Sequence, residues 1–328
     1  MSPKIVVLDG YTLNPGDNPW TELSELGELV VYDRTSPREI LQRVRDAVIL
    51  LTNKTPLDKR AIEEARNLKF IAVLATGYDV VDIQAAGSRG IPVSNVPEYG
   101  TNTVAEHTFA LLLELARRPA LHDSAIRAGE WKEDWCFWKV PLVELAGKTI
   151  GIVGFGRIGR RVGQIANAFG MEVIAYDVQR VGEPDYAPFR WVSLEELFST
   201  SDFVSLHCNQ TEENKGFVNM ELFKRMKPTA FLINTSRGGL VKEEDLARAL
   251  KEGIIAGAAL DVFPKEPLDG ESPLFGAPNL VMTPHLAWAT LEARKRLMRA
   301  TVENVKAFLA GNPQNVVNAP WLEEKKNP

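Results

Sequence analysis

The chain reads as an α/β protein of two lobes, each built on a doubly wound parallel sheet. Three observations lead there. At 328 residues it exceeds the usual size of one hydrophobic core. Short runs of Val, Ile and Leu alternate along it with charged segments of helical period. That alternation stops near Pro97 and restarts near Thr149, with one long apolar helical stretch between.

In chain order, the first strands are KIVVLD, ELVVYD, AVILLT, FIAVLA and IPVSN, separated by TELSELG, PREILQRVRD, DKRAIEEARN and VDIQAAGSRG. This is the βαβ rhythm of a parallel sheet. TNTVAEHTFALLLELARR follows, apolar on more than one face, which predicts a helix buried between domains or against a second subunit. The connection RAGEWKEDWCFWKVPLVELAGK then places Trp131, Trp135 and Trp138 close together, in the manner of interface segments. The second set of strands is TIGIVG, EVIAYD, DFVSLHC, AFLINTS, IAGAALDVF and LVMTP. Between them lie helices such as KEEDLARALKEG and VSLEELFS, where Ser193 and Glu196 stand in capping-box spacing. The last helix, TLEARKRLMRATVENVKAFLAGN, carries Leu291, Leu297, Met298, Val302, Val305 and Leu309 near helical spacing, and its Arg and Lys residues predict a solvated opposite face.

Apolar residues make up 45% and charged residues 25%, ordinary globular values. A net charge of -5 with both signs interspersed leaves no basic stripe for nucleic acid and argues against binding to anionic membranes. No run of about 18 apolar residues predicts a membrane span. Cys136 and Cys208 are far apart, in no metal-type spacing, so neither a disulfide framework nor a metal site is expected. MSPKIVVLDG has no basic leader and reads as a strand. Cytoplasmic residence is the resulting expectation.

Gly154, Gly156 and Gly159 form G-x-G-x-x-G directly after the strand TIGIV and before helical RIGRRVGQIANAFG. The bare pattern is weak; strand, turn and helix in that order give it weight. Asp177 ends the next strand, 18 residues beyond Gly159, near the spacing of an acid that binds an adenosine ribose. Gly154 would permit the tight turn, Gly156 the approach of a pyrophosphate, and Gly159 close helix–strand packing, with helix amides offered to the anion. This predicts a Rossmann domain for NAD. A carboxylate at Asp177 disfavours the 2′-phosphate of NADP, and Arg180 would soften that preference.

Ligands of doubly wound sheets sit at the carboxyl ends of the strands. Just past strands stand Arg237, Glu266 and His285. Each alone is an ordinary surface residue; together with a dinucleotide site they form a complete set for reducing a 2-oxo acid. Arg237 supplies a planar fork for a carboxylate. The reference pKa of an imidazole lies near neutral pH, so a histidine at position 285 can be the acid. Glu266 bonded to it would favour the charged ring and fix its orientation. His107 and His122 fit less well, and His207 is a candidate for lining the cofactor cleft.

Four ordered motifs, GFGRIG at 154–159, INTSRGG at 233–239, ALDVFPKEP at 259–267 and TPHLAW at 283–288, make the sequence resemble the D-isomer-specific 2-hydroxyacid dehydrogenases over nearly its whole length. LDGYTLNPGD and TNKTP resemble the glycerate dehydrogenase, or hydroxypyruvate reductase, branch. The resemblance implies Arg237 as carboxylate binder, His285 as acid/base and Glu266 as its partner. It implies Arg157 and Ile158 as pyrophosphate contacts, Asp177 as ribose ligand, and Thr103, Thr235 and Asp261 along the nicotinamide half. Ala75, Thr76 and Gly77 resemble the loop whose amides hold the substrate carboxylate, and Lys54 is a candidate for the substrate's distal end. Here Gly77-Tyr78-Asp79-Val80 departs from the family's Gly-Val-Asp-Asn-type run, which bears on substrate choice.

The resemblance further implies a Rossmann NAD-binding domain, 99–289, inserted into a flavodoxin-like substrate domain of 1–98 and 290–328, with substrate in the cleft between. The long helix and the tryptophan segment resemble the family's homodimer contacts. The implied reaction interconverts a small 2-oxo acid and its D-2-hydroxy acid, with hydroxypyruvate, glyoxylate and D-glycerate foremost. Two alternatives stand: a 3-phosphoglycerate dehydrogenase, and a non-enzymatic NAD-sensing scaffold of the corepressor kind.

Overall fold

The computed structural model describes residues 2–132 and 135–323; Met1, Glu133, Asp134 and 324–328 lie outside the described residues. The chain divides into two compact units, one of residues 1–100 with 288–328 and the other of residues 101–287.

The first unit holds β1 (Lys4–Val7), β2 (Glu28–Val31), β3 (Ile49–Thr52), β4 (Phe70–Val73) and β5 (Val93–Ser94), in the order β2-β1-β3-β4-β5 with every pair parallel. Alternate residues face two separate cores. Val6, Leu50, Ile71 and Val73 pack on one side. On the other are Ile5, Val7, Ile49, Leu51, Phe70 and Ala72, beneath Leu297, Met298, Val302 and Val305 of the Leu291–Leu309 helix. A sheet covered on both faces needs strands that are largely apolar along their length, which is why they read as near-continuous runs.

The second unit holds β6 (Thr149–Val153), β7 (Glu172–Tyr176), β8 (Phe189–Trp191), β9 (Phe203–Leu206), β10 (Phe231–Asn234), β11 (Gly257–Leu260) and β12 (Leu280–Met282). Their order is β12-β11-β10-β9-β6-β7-β8, again all parallel. From β6 the chain winds outward to β8, returns, and winds the other way from β9, so the topological switch point lies between β6 and β9. The Thr101–Arg117 helix buries Phe109, Leu112 and Leu115 against one face, and Phe109 stacks on Phe169 at 5.4 Å.

Four features depart from the sequence reading. Strand β8 was not predicted; it is a three-residue edge strand with no continuous apolar run. A second helix, Pro119–Arg127, follows the long one across a left-handed Arg118, φ 51°. The charges of the last helix are not all solvated. Arg294 is 8% exposed, pairs with both carboxylate oxygens of Asp17 and donates to the carbonyls of Leu13 and Ala289. That paired, hydrogen-bonded geometry makes its burial tolerable, and Asp17 in turn is held below the usual carboxylate range by the Arg294 hydrogen bond. The capping box is half made: Ser193 Oγ accepts from Glu196 N at 3.1 Å, while the Glu196 carboxylate turns to Arg190 at 2.9 Å.

Candidate active site

The glycine turn leaves β6 at the switch point of the second unit. Gly154 has φ +90°, and a Cβ there would lie 2.4 Å from the backbone nitrogen of Cys208. At Gly159 a Cβ would meet the carbonyl oxygen of Gly154 at 2.1 Å, which fixes how closely the Arg157–Ala168 helix approaches the turn. Gly156 is different. A Cβ on it would find nothing within 4 Å, and as N-cap it offers no side chain to the helix amides. The helix therefore starts, at Arg157, Ile158 and Gly159, without a capping side chain in front of its first amides, a fit for a pyrophosphate. Asp177, just past β7, accepts from Phe155 N at 2.7 Å and Gln179 N at 3.1 Å. Each carboxylate oxygen keeps a further lone pair for a ribose hydroxyl.

These contacts separate two substitutions. Gly154→Ala is expected to destabilise the fold through positive φ and backbone overlap, by about 1–3 kcal/mol. Gly156→Ala is expected to leave the melting temperature unchanged and to weaken NADH binding at least tenfold, about 1.4 kcal/mol. Thermal melts beside fluorescence titration check both; NADH affinity unaltered in Gly156→Ala would remove that position from the cofactor site.

Arg237, Glu266 and His285 follow β10, β11 and β12, three adjacent parallel strands, at their carboxyl ends. Glu266 Oε2 lies 2.6 Å from His285 Nδ1, while Oε1 accepts from Phe263 N at 3.1 Å. Both side chains are about a quarter exposed. With Nδ1 committed to the carboxylate, Nε2 is the ring nitrogen from which a proton could pass to a ligand. His285 itself has φ +53°, a left-handed conformation that His adopts more readily than most residues.

What keeps that backbone in place is Asp261. Fully buried, its carboxylate accepts from Thr283 Oγ1 at 2.6 Å and from Leu286 N and Ala287 N at 2.9 Å each. Its carbonyl accepts from His285 N at 2.7 Å. Sequence reasoning assigned Asp261 to the cofactor alone and missed this loop-holding role, because its partners declare themselves only in three dimensions. His107 Nε2 meets Thr283 Oγ1 at 3.1 Å, its pKa lowered by burial against the opposing pull of Asp261.

Thr103 and Thr235 are buried, the first donating to Ala287 O at 3.2 Å, the second 3.0 Å from Thr108 Oγ1. Burial pushes His207 down to about 3, so it stays neutral, with Nε2 2.8 Å from Ser205 Oγ. Arg237 stands in extended backbone, its carbonyl accepting from Asn234 Nδ2 at 2.9 Å. Gly238 beside it was not singled out, yet a Cβ there would sit 1.9 Å from the carbonyl carbon of Phe263. In the first unit, the turn after β4 is tied by Thr76 Oγ1 to Val96 O at 2.8 Å and by Val96 N to Ala75 O at 3.0 Å, with Gly77 next in line. Lys54 is the exposed residue of the turn after β3.

A glycine turn at a switch point, an acid past the next strand and a carboxylate-bonded imidazole at strand ends fit a dinucleotide-dependent oxidoreductase. Residues 109–287 match the family described as D-isomer specific 2-hydroxyacid dehydrogenase, NAD binding domain. A hydroxypyruvate reductase of Blautia hydrogenotrophica is 49% identical over 96% of this chain and 99% of its own. A glycerate dehydrogenase of Methylorubrum extorquens is 40% identical, over 97% and 100% respectively. A Thermus thermophilus protein of known crystal structure superposes with TM-score 0.84 at 38% identity, covering 96% of this chain and 99% of that one. The chain belongs to the D-isomer-specific 2-hydroxyacid dehydrogenases, and it is an NAD-dependent enzyme. No helix among the described residues is long and apolar enough to cross a membrane.

Proposed function

We propose that the enzyme reduces hydroxypyruvate and glyoxylate with NADH, forming D-glycerate and glycolate. The observation that carries the reading is the 2.6 Å contact between Glu266 and His285 in the same unit as the glycine turn. When bound, NADH supplies a hydride to the carbonyl carbon. Arg237 holds the substrate carboxylate through a bidentate pair. His285 gives the Nε2 proton to the carbonyl oxygen as charge develops there, and Glu266 keeps the ring oriented while it does so. In the reverse direction the same nitrogen takes the hydroxyl proton.

The cofactor rests on Gly154, Gly156, Arg157, Ile158, Gly159 and Asp177 in this proposal, with Thr103, His207, Thr235 and Asp261 assigned to its neighbourhood. Asp177 favours a ribose hydroxyl over a 2′-phosphate, and the Arg180 guanidinium, which would soften that choice, lies 5.9 Å from the Trp191 ring centre. Lys54 and the turn at Ala75, Thr76 and Gly77 are assigned to the substrate. The first unit would serve as the substrate domain and the second as the NAD domain.

A homodimer belongs to the same proposal. Trp135 is 98% and Trp138 64% exposed, large aromatic side chains of the kind enriched at interfaces, and light scattering at a mass of two chains checks it. Cytoplasmic residence is proposed from two cysteines in no disulfide.

The decisive experiment follows NADH consumption with hydroxypyruvate, glyoxylate and phosphohydroxypyruvate, then repeats the series with NADPH. The expected result is the highest kcat/KM for one of the first two with NADH. Preference for the phosphorylated acid would transfer the assignment to a phosphoglycerate dehydrogenase.

A further inference from the structure

In the first unit the topological switch point lies between β1 and β3, where a doubly wound sheet offers its ligand crevice. Two pieces of chain meet there: Asp9, two residues past β1, and the turn Asn53–Thr55, directly past β3. The Asp9 carboxylate is buried, 4% exposed, and accepts from three successive amides. Asn53 N donates to Oδ1 at 2.9 Å, and Lys54 N and Thr55 N donate to Oδ2 at 2.6 and 2.7 Å. Thr52 Oγ1 stands 3.3 Å from the same oxygen and donates to Thr55 O at 2.7 Å, closing the turn on itself.

Converging amides of this kind make an anion-binding nest, and the chain fills it with its own carboxylate. Charge-assisted bonds to a buried anion hold a turn more firmly than neutral ones. Asn53, Thr55 and Thr52 are buried, and Lys54 alone of the four is exposed. The clamp therefore fixes the backbone that carries the Lys54 side chain, at the strand edge that also carries the turn after β4.

We propose that Asp9 is a positioning residue for substrate recognition, holding the 53–55 turn so that Lys54 meets the distal end of the oxo acid. The inference rests on the assignment of Lys54 to the substrate. Asp9 itself touches no substrate; it acts through three backbone amides.

Asp9→Asn, Lys54→Ala and the double variant test this by KM for hydroxypyruvate, kcat, NADH affinity and melting temperature. Lys54→Ala is expected to raise KM about tenfold, the loss of one charged contact, with NADH affinity unchanged. Asp9→Asn should raise KM severalfold in the same pattern, and the double variant should match Lys54→Ala, since the clamp then has nothing left to position. Effects that multiply in the double variant mark Asp9 as independent of Lys54 and overturn the inference. An unchanged KM in Asp9→Asn beside a raised one in Lys54→Ala overturns it too, and leaves the Lys54 assignment standing. An unchanged KM in Lys54→Ala overturns that assignment and this inference with it. Should Asp9→Asn fail to fold, Thr52→Val removes the hydroxyl that closes the turn and is expected to raise KM only while Lys54 is present; a rise that persists without Lys54 overturns the inference.

Discussion

Replacing His285 by alanine is expected to lower kcat by about two to four orders of magnitude, the range of general acid–base catalysis, while NADH affinity stays within about twofold, under 0.5 kcal/mol. The effect is large because no other histidine offers a substitute. His207 is held neutral by burial, its pKa pushed down to about 3, and so carries no imidazolium proton at neutral pH. Both nitrogens of His122 are engaged by backbone, Nδ1 with Arg118 O at 2.7 Å and Nε2 with Lys139 N at 3.2 Å. His107 is turned to Thr283 and Asp261, with burial disfavouring its charged form. Stopped-flow measurement of NADH oxidation beside equilibrium titration separates the two quantities. A kcat within tenfold of the parent enzyme, about 1.4 kcal/mol of barrier, would take the acid role away from His285.

The parts legible in the sequence are those where physics admits few residue types. A parallel strand buried on both faces is built mostly of apolar residues, Val, Ile, Leu and Phe above all, so β1, β3, β4, β9 and β10 announce themselves. The turn at Gly154 and Gly159 tolerates no Cβ, and that exclusion writes itself as a pattern. What stayed hidden depends on pairings that spacing does not encode. Arg294 looks like one more solvated charge until Asp17, on another segment, closes on it. Asp9 and Asp261 are single acids at strand ends, and neither discloses that it gathers backbone amides from a distant turn. Edge strand β8 failed for the opposite reason. Flanked by solvent and only three residues long, it needs no apolar run.

Arg237→Ala is expected to cut kcat/KM for hydroxypyruvate by roughly two to three orders of magnitude, about 3–4 kcal/mol, within the range for deleting one partner of a desolvated charge pair. Most of that loss should fall on KM, since a carboxylate held equally in substrate and transition state contributes uniform binding. The guanidinium Nη1 donates to the adjacent Ser236 carbonyl at 2.9 Å, while other groups hold the backbone on either side of it. Backbone at Arg237 is extended, its carbonyl is held by Asn234 Nδ2, and the short Gly238–Leu240 helix begins directly after it. Gly238, pressed against the Phe263 carbonyl, fixes the turn whether or not the side chain beyond Cβ is there. The alanine variant should therefore keep its melting temperature and its NADH affinity. Arg237→Lys restores the charge without the planar fork, so its kcat/KM should fall between the other two. Full activity in the lysine variant would mean that charge alone suffices, and full activity in the alanine variant would mean that the oxo acid is held by other groups.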